Sequence, residues 1–321
     1  MLRDSFGRHI TYLRVSVTDR CNLRCFYCSA KDTFSWLPPE EILSYEEFLK
    51  IIRVALDLGV EKIRLTGGEP LVRKGLVAFV SEVARLPGLR DLSLTTNGVL
   101  LAETAAELKK AGLKRVNISL DTLRPERYAT LCGKPYLYRV LQGIEAALKA
   151  GLSPVKINTV VLKGYNDDEI EALALLSLEM PVEVRFIEFM PVGEGAPWED
   201  KAFLPAAEIK RRLEALGELK PVPSYGGGPA KTYVLPKARG KIGLITAMSE
   251  HFCHRCNRLR ITPEGKLRPC LFSDQEIDLK PIVRQAGEEE LKRAFSQALA
   301  IKPSSRLVNH QPRRLMRRIG G

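Results

Sequence analysis

The 321-residue sequence predicts an α/β protein. Residues 1–195 are expected to form a partial (β/α)6 barrel of the TIM type, and 196–321 a less regular C-terminal region. Three observations carry that expectation. Short β-branched runs alternate with amphipathic helical stretches, which implies parallel strands joined by right-handed crossovers. The residues able to do chemistry fall just after those strands, where a parallel barrel gathers its loops at one mouth. Six units are also fewer than the eight that close a barrel. Alternation alone leaves a doubly wound sheet open, but that fold collects its ligands at one switch point. Here nearly every strand end carries a candidate residue.

The candidate strands are YLRVSVT (12–18), KIRLT (62–66), DLSLTT (91–96), RVNISL (115–120), VKINTVV (155–161) and VEVRFIEF (182–189). The clearest helix, SYEEFLKIIRVALDLG, separates the first two. Ser44 is placed to cap it, with Glu47 three residues on as its reciprocal partner. Ile51, Ile52, Ala55, Leu56 and Leu58 form its apolar stripe, and Gly59 ends it. LAETAAELKKAG, LYRVLQGIEAALKAG and NDDEIEALALLSLEM repeat the logic. After residue 190 the texture changes to Gly/Pro-rich connectors, VGEGAPWEDKAFLP and PVPSYGGGPAKTY. The stretch YGGGPAKT echoes a phosphate-binding loop, but Ala230 stands where that motif needs glycine and no clear strand precedes it.

No apolar run reaches the ~18 residues that a membrane span needs. The N-terminus lacks the apolar core of a signal peptide, so a cytoplasmic location is expected. The net charge of +12 suits an anionic partner. Residues 301–321 alone hold six Lys/Arg and no acid. Aromatic residues make up only 7% and no basic stripe is interleaved with them, which argues against a single-stranded nucleic-acid partner.

In a reducing compartment clustered cysteines point to metal or catalysis rather than disulfides. The seven fall as Cys21, Cys25 and Cys28, then Cys132, then Cys253, Cys256 and Cys270. Cys132 has no cysteine or histidine near it in sequence and reads as a small core or loop residue. The first group, CNLRCFYC, offers three thiolates where a structural zinc site takes four ligands, and no histidine lies between residues 10 and 250. An iron–sulfur cubane can be held by three thiolates with one iron left open. The second group is C-x2-C-x13-C, again three. His251 and His254 flank it, so a Cys3His zinc site is an alternative there. Arg258 and Arg260 lie just beyond; on an extended segment they share one face and make a phosphate clamp.

C-x3-C-x2-C with Tyr27 before its last cysteine, directly after the first strand, resembles the radical S-adenosylmethionine superfamily. TGGEP (66–70) strengthens the likeness. With TTNG, RFIEFM, CNRLRIT and the terminal IGG, the chain resembles the GTP 3′,8-cyclases of molybdenum cofactor biosynthesis over nearly its whole length. The resemblance implies two [4Fe-4S] clusters, the first on Cys21, Cys25 and Cys28 and an auxiliary one on Cys253, Cys256 and Cys270. It implies S-adenosylmethionine contacts from Tyr27, Gly68, Ser119 and Met190. It implies GTP contacts from Arg14, Arg64, Thr95, Lys156, Arg258, Leu259 and Arg260. Gly320 and Gly321 would insert toward the active site.

The activity implied is abstraction of the GTP ribose 3′ hydrogen by a 5′-deoxyadenosyl radical, then ring closure onto guanine C8. Implied partners are a second copy of the chain, a flavodoxin or ferredoxin as electron donor, and a downstream cyclic pyranopterin monophosphate synthase. Neither a membrane nor a nucleic acid is implied. Two alternatives stand: a peptide-modifying enzyme of the same superfamily, and a basic zinc- and RNA-binding protein.

Overall fold

In the computed structural model, residues 1–28, 36–193, 200–224, 228–306 and 312–320 are described. Six strands follow the expected order: β1 (Tyr12–Ser16), β2 (Lys62–Thr66), β3 (Asp91–Thr96), β4 (Arg115–Ser119), β5 (Val155–Val161) and β6 (Val182–Glu188). Each pairs in parallel with the next. An order that never reverses is that of a barrel wall, not of a doubly wound sheet.

Helices α1 (Tyr45–Asp57), α2 (Leu76–Ala84), α3 (Leu101–Lys110), α4 (Pro125–Cys132), α5 (Leu137–Lys149) and α6 (Ile170–Glu179) fill the crossovers. The capping box at the start of α1 forms as the sequence predicts. Glu47 N–H donates to Ser44 Oγ at 3.2 Å, and Ser44 N–H to Glu47 Oε2 at 2.7 Å. Two orphan amides of that helix end are thereby satisfied. Ile51, Ile52 and Ala55 are fully buried against the sheet; α2 and α4 are helices the sequence reading did not single out.

The C-terminal half extends this wall instead of standing apart from it. The strands β7 (Lys220–Val222), β8 (Lys231–Val234) and β9 (Lys241–Ile245) follow α7 (Ala206–Glu214), and β9 joins β6 in parallel. At the other edge β10 (Arg258–Ile261) joins β1 in parallel and leads antiparallel into β11 (Lys266–Arg268) and β12 (Ile277–Asp278). Among the described residues the sheet of twelve strands ends on β12 and β7, which do not pair with each other, so the barrel is open. Helices α8 (Lys280–Gln285) and α9 (Glu288–Ala300) close the outside, and the short α10 (Met316–Ile319) ends the chain. Among the described residues no helix is long and apolar enough to cross a membrane.

β1 is buried along its whole length, yet it reads Tyr-Leu-Arg-Val-Ser. Alternation explains this. Leu13 and Val15 belong to the apolar core, while Tyr12 and Arg14 line an internal cavity. Register then assembles a row of polar residues that no single strand reveals. Arg14 lies opposite Arg260 on one side and Arg64 on the other. Arg64 lies opposite Ser93, and Ser93 opposite Arg115.

Candidate functional site

Two adjoining cavities occupy the barrel. Cys21, Cys25 and Cys28 all line the first, together with Tyr27, Gly68, Ser119 and Met190. Every residue expected at S-adenosylmethionine therefore lies in one place. Gly68 is required there by close approach: a Cβ would sit 2.4 Å from the Arg20 carbonyl oxygen and 2.6 Å from that of Asp19. The turn after β2 is thus packed directly on the backbone of the cysteine loop, a reason for glycine beyond ligand access.

A buried hydrogen-bond network fixes that turn. The Glu69 carboxylate accepts from Leu71 N–H at 3.0 Å, Thr96 Oγ1 at 2.8 Å and Asn97 N–H at 2.6 Å. Asn97 in turn donates its side-chain amide to Asn22 Oδ1 at 2.7 Å and to Cys21 Sγ at 3.7 Å. GGEP, TTNG and the cysteine loop are therefore one unit. Burial pushes the Glu69 carboxyl up to about 7, against the donors that favour its charge. Tyr27 Oη donates to Asp121 Oδ2 at 2.5 Å, and burial raises Asp121 to about 6.

Burial also pushes up the thiols of Cys21 and Cys28, the latter to about 12, and the hydrogen bond with Cys132, then burial, pushes up that of Cys25. Such thiols become thiolates only when a metal takes the proton's place. Thr95 Oγ1 and Asn158 Oδ1 are buried on the wall of this cavity with no hydrogen-bond partner among the described residues. Orphaned acceptors in a cavity are what a polar ligand satisfies. Thr95, expected at GTP, lines the first cavity, which adjoins the cation-lined one. Cys132, expected as a bland core or loop residue, is buried, and it is also a hydrogen-bonding neighbour of the Cys25 thiol. The separation of the two in sequence hid this.

The second cavity is lined by Cys253, Cys256 and Cys270 and by Arg14, Arg64, Lys156, Arg258 and Arg260. Tyr12, Arg115 and Arg185 line it too and were not singled out from the sequence. Alternation and register were the signals that could have found them. Leu259, expected at GTP with its two arginine neighbours, has its side chain fully buried in the core on the opposite face of β10, which leaves its main chain for such a contact.

Carboxylates hold some of these cations in place. Lys156 Nζ lies 3.1 Å from Glu183 Oε2, and Arg185 Nε 2.6 Å from Glu183 Oε1. Asp91 grips Arg115 through both oxygens. The cations still crowd one another. Burial, then Arg260 and Arg64, pushes Arg14 well below its ordinary value. Burial lowers Arg64 and Arg260 to about 10, and burial with Arg185 nearby lowers Lys156 to about 7. A cavity in which each cation weakens the next is built for an anion.

Asn158, Ile187, Met190 and Met316 line both cavities, so the two share a wall. Met316 belongs to α10. That helix is anchored by Ile319, buried against Val192 and Phe272, and by Arg314, which bonds Glu276 at 2.6 and 2.9 Å. Gly320 follows with φ +80°, and a Cβ there would lie 2.4 Å from Thr66 Cγ2. Gly321 lies outside the described residues.

Among the described residues no group of three or more His, Cys, Asp or Glu side chains could hold a single metal ion. The thiolates of an iron–sulfur cubane bind three different irons and stand further apart.

Residues 15–176 match the radical SAM superfamily model, and 182–307 the model described as Molybdenum Cofactor Synthesis C. Over 325 residues the chain is 51% identical to the GTP 3′,8-cyclase of Pelotomaculum thermopropionicum, with all of both chains covered. It is 50% identical over 323 residues to that of Thermodesulfovibrio yellowstonii, again with both covered in full. Among solved structures, SuiB of Streptococcus suis matches with a TM-score of 0.64 at 16% identity, covering 88% of this chain and 66% of SuiB. At that identity the likeness is one of fold. The paired family models in sequence order and the full-length identity agree with the two cysteine-lined cavities: this chain belongs to the radical S-adenosylmethionine superfamily and, within it, to the GTP 3′,8-cyclase family.

Proposed function

We propose that this chain converts GTP to 3′,8-cyclo-7,8-dihydro-GTP, the first step of molybdenum cofactor biosynthesis, and that its two cavities divide the work. The shared wall of Asn158, Ile187, Met190 and Met316 carries this reading. It brings a site for generating a radical next to a site for a polyanion.

In this reading Cys21, Cys25 and Cys28 hold one [4Fe-4S] cluster, and Tyr27, Gly68, Ser119 and Met190 contact S-adenosylmethionine. That pair, when bound and reduced, supplies the radical that takes the ribose 3′ hydrogen. The donor set fits: three half-buried thiols beside two orphaned polar atoms. Cys253, Cys256 and Cys270 hold the second cluster against the guanine.

The chain's own residues bind and orient. Arg14, Arg64, Lys156, Arg258 and Arg260, joined by Arg115 and Arg185, take the triphosphate. Guanidiniums match phosphate oxygens in pairs. Fixing the phosphates at one end and the base at the other holds C3′ and C8 for attack. The barrel wall and α10 exclude water from the wall between the cavities. A homodimer, a flavodoxin or ferredoxin donor, a downstream cyclic pyranopterin monophosphate synthase and a cytoplasmic location complete the reading.

Iron and sulfide should be counted on anaerobically reconstituted protein, together with GTP turnover. About eight irons are expected, falling to about four when either cysteine triad is replaced by alanine, with turnover lost in both. Zinc without sulfide overturns the reading.

A further inference from the structure

We propose that Lys302 is the positioning cation of the second cysteine triad: its ammonium ties the cysteine segments together and offsets the charge of the cluster bound there. This rests on the two-cluster reading above.

Lys302 follows α9 and is 3% exposed. Its Nζ donates to the Arg258 carbonyl at 2.9 Å, the Pro269 carbonyl at 2.5 Å and Cys256 Sγ at 3.8 Å. An ammonium has three protons, and all three are placed. The acceptors lie in both parts of the triad: Cys256 and Arg258 in the C-x2-C segment and the start of β10, and Pro269 next to Cys270. One side chain therefore ties together the two ends that the antiparallel pairing of β10 and β11 brings side by side.

The clamp has its own support. Arg8 Nη1 donates to the Cys253 carbonyl at 2.8 Å and to Ser304 O at 3.0 Å, and Arg8 Nη2 to Pro303 O at 2.7 Å. Asp4 lies 2.6 Å from Arg8 Nε and neutralises it. Among the described residues no carboxylate does the same for Lys302. A buried ammonium without a counter-ion is costly, and the anions on offer are the thiolates it faces. A cubane on three thiolates carries net negative charge that grows on reduction. A cation beside it favours the reduced form.

The test uses the full chain with Cys21, Cys25 and Cys28 replaced by alanine, so that only the second cluster is present. Lys302→Gln and Lys302→Arg are added separately, and reduction of the reconstituted protein is followed by electron paramagnetic resonance. About four irons are expected in all three proteins. Lys302→Gln should lower the equilibrium constant for reduction by about tenfold or more, and Lys302→Arg should restore it. An unchanged potential in Lys302→Gln overturns the proposal. So does a loss of iron in Lys302→Gln that Lys302→Arg also shows. Absence of iron from the parent with Lys302 intact removes the second-cluster reading itself, and the proposal with it.

Discussion

Arg260 donates from Nη1 to the carbonyl oxygen of Gly320 at 2.8 Å. One residue belongs to the cation-lined cavity and the other to the last turn of the described chain. The C-terminal turn is therefore part of the interior of the barrel. Any group that engages Arg260 acts on the tail as well, and the tail limits where that guanidinium can point.

Gly320→Ala is expected to expel the tail. Its Cβ would meet Thr66 Cγ2 at 2.4 Å, and a φ of +80° is unfavourable for alanine. Turnover of GTP should fall by about tenfold or more through lost positioning, with iron content unchanged. Wild-type turnover in this variant would show that the tail is a passenger.

Gly68→Ala should separate the two metal sites. The added methyl collides with backbone at Asp19 and Arg20, not with a side chain that can turn away. The cysteine loop must then shift, and about half of the iron should be lost. Retention of the full complement would mean that the loop and the turn after β2 move independently.

Triphosphate binding should take up protons above neutral pH. Lys156 is held at about 7 in the empty cavity by burial and by Arg185. A polyanion nearby favours the charged form and raises it. Near pH 8 the free protein has largely lost this proton and the complex has regained it, so affinity falls as pH rises through 7. Calorimetry of GTP binding in buffers of different ionisation heat should show uptake of up to about one proton. Lys156→Met should abolish that part, and equal uptake in both proteins would assign it elsewhere.

Glu69 should leave a signature in stability. Its folded value of about 7 is above the ordinary 4.5. A carboxyl raised in this way contributes stability below pH 4.5, and that contribution is lost as pH rises through 7. The span corresponds to about 3 kcal/mol. Urea unfolding of the metal-free, reduced chain across that window should show less decline in Glu69→Gln than in wild type. An identical slope would mean that the carboxyl is not protonated in the folded protein.

The parts of this protein that were legible in its sequence are local. Ser44 and Glu47 form their capping box within one turn, and the strand runs from 12 to 189 match the observed strands to within two residues at their ends. The cysteine triads line their cavities because all three cysteines of the first, and two of the three of the second, lie on one short loop. Thr95 lines a different cavity from Arg64 because it sits two residues further along β3 than Ser93, on the same face, and Leu259 has its side chain in the core because successive residues of β10 alternate between faces. Thr95 lies opposite Asn117 in β4 and borders the first cavity, not the cation-lined one.

The sequence by itself determined a β/α barrel wall, two three-thiol sites and an excess of positive charge. Each follows from spacing or composition, which a linear chain carries in full. The tertiary structure decided that the C-terminal half would complete the wall at both edges, through β9 beside β6 and β10 beside β1. It also decided that arginines from β10, β1, β2 and β4 would fall into one row, and that Lys302 and Gly320 would reach the cysteines and the cations. Those relationships join residues distant in the chain. Strand register and the closing of the core fix them, and neither exists until the sheet has formed.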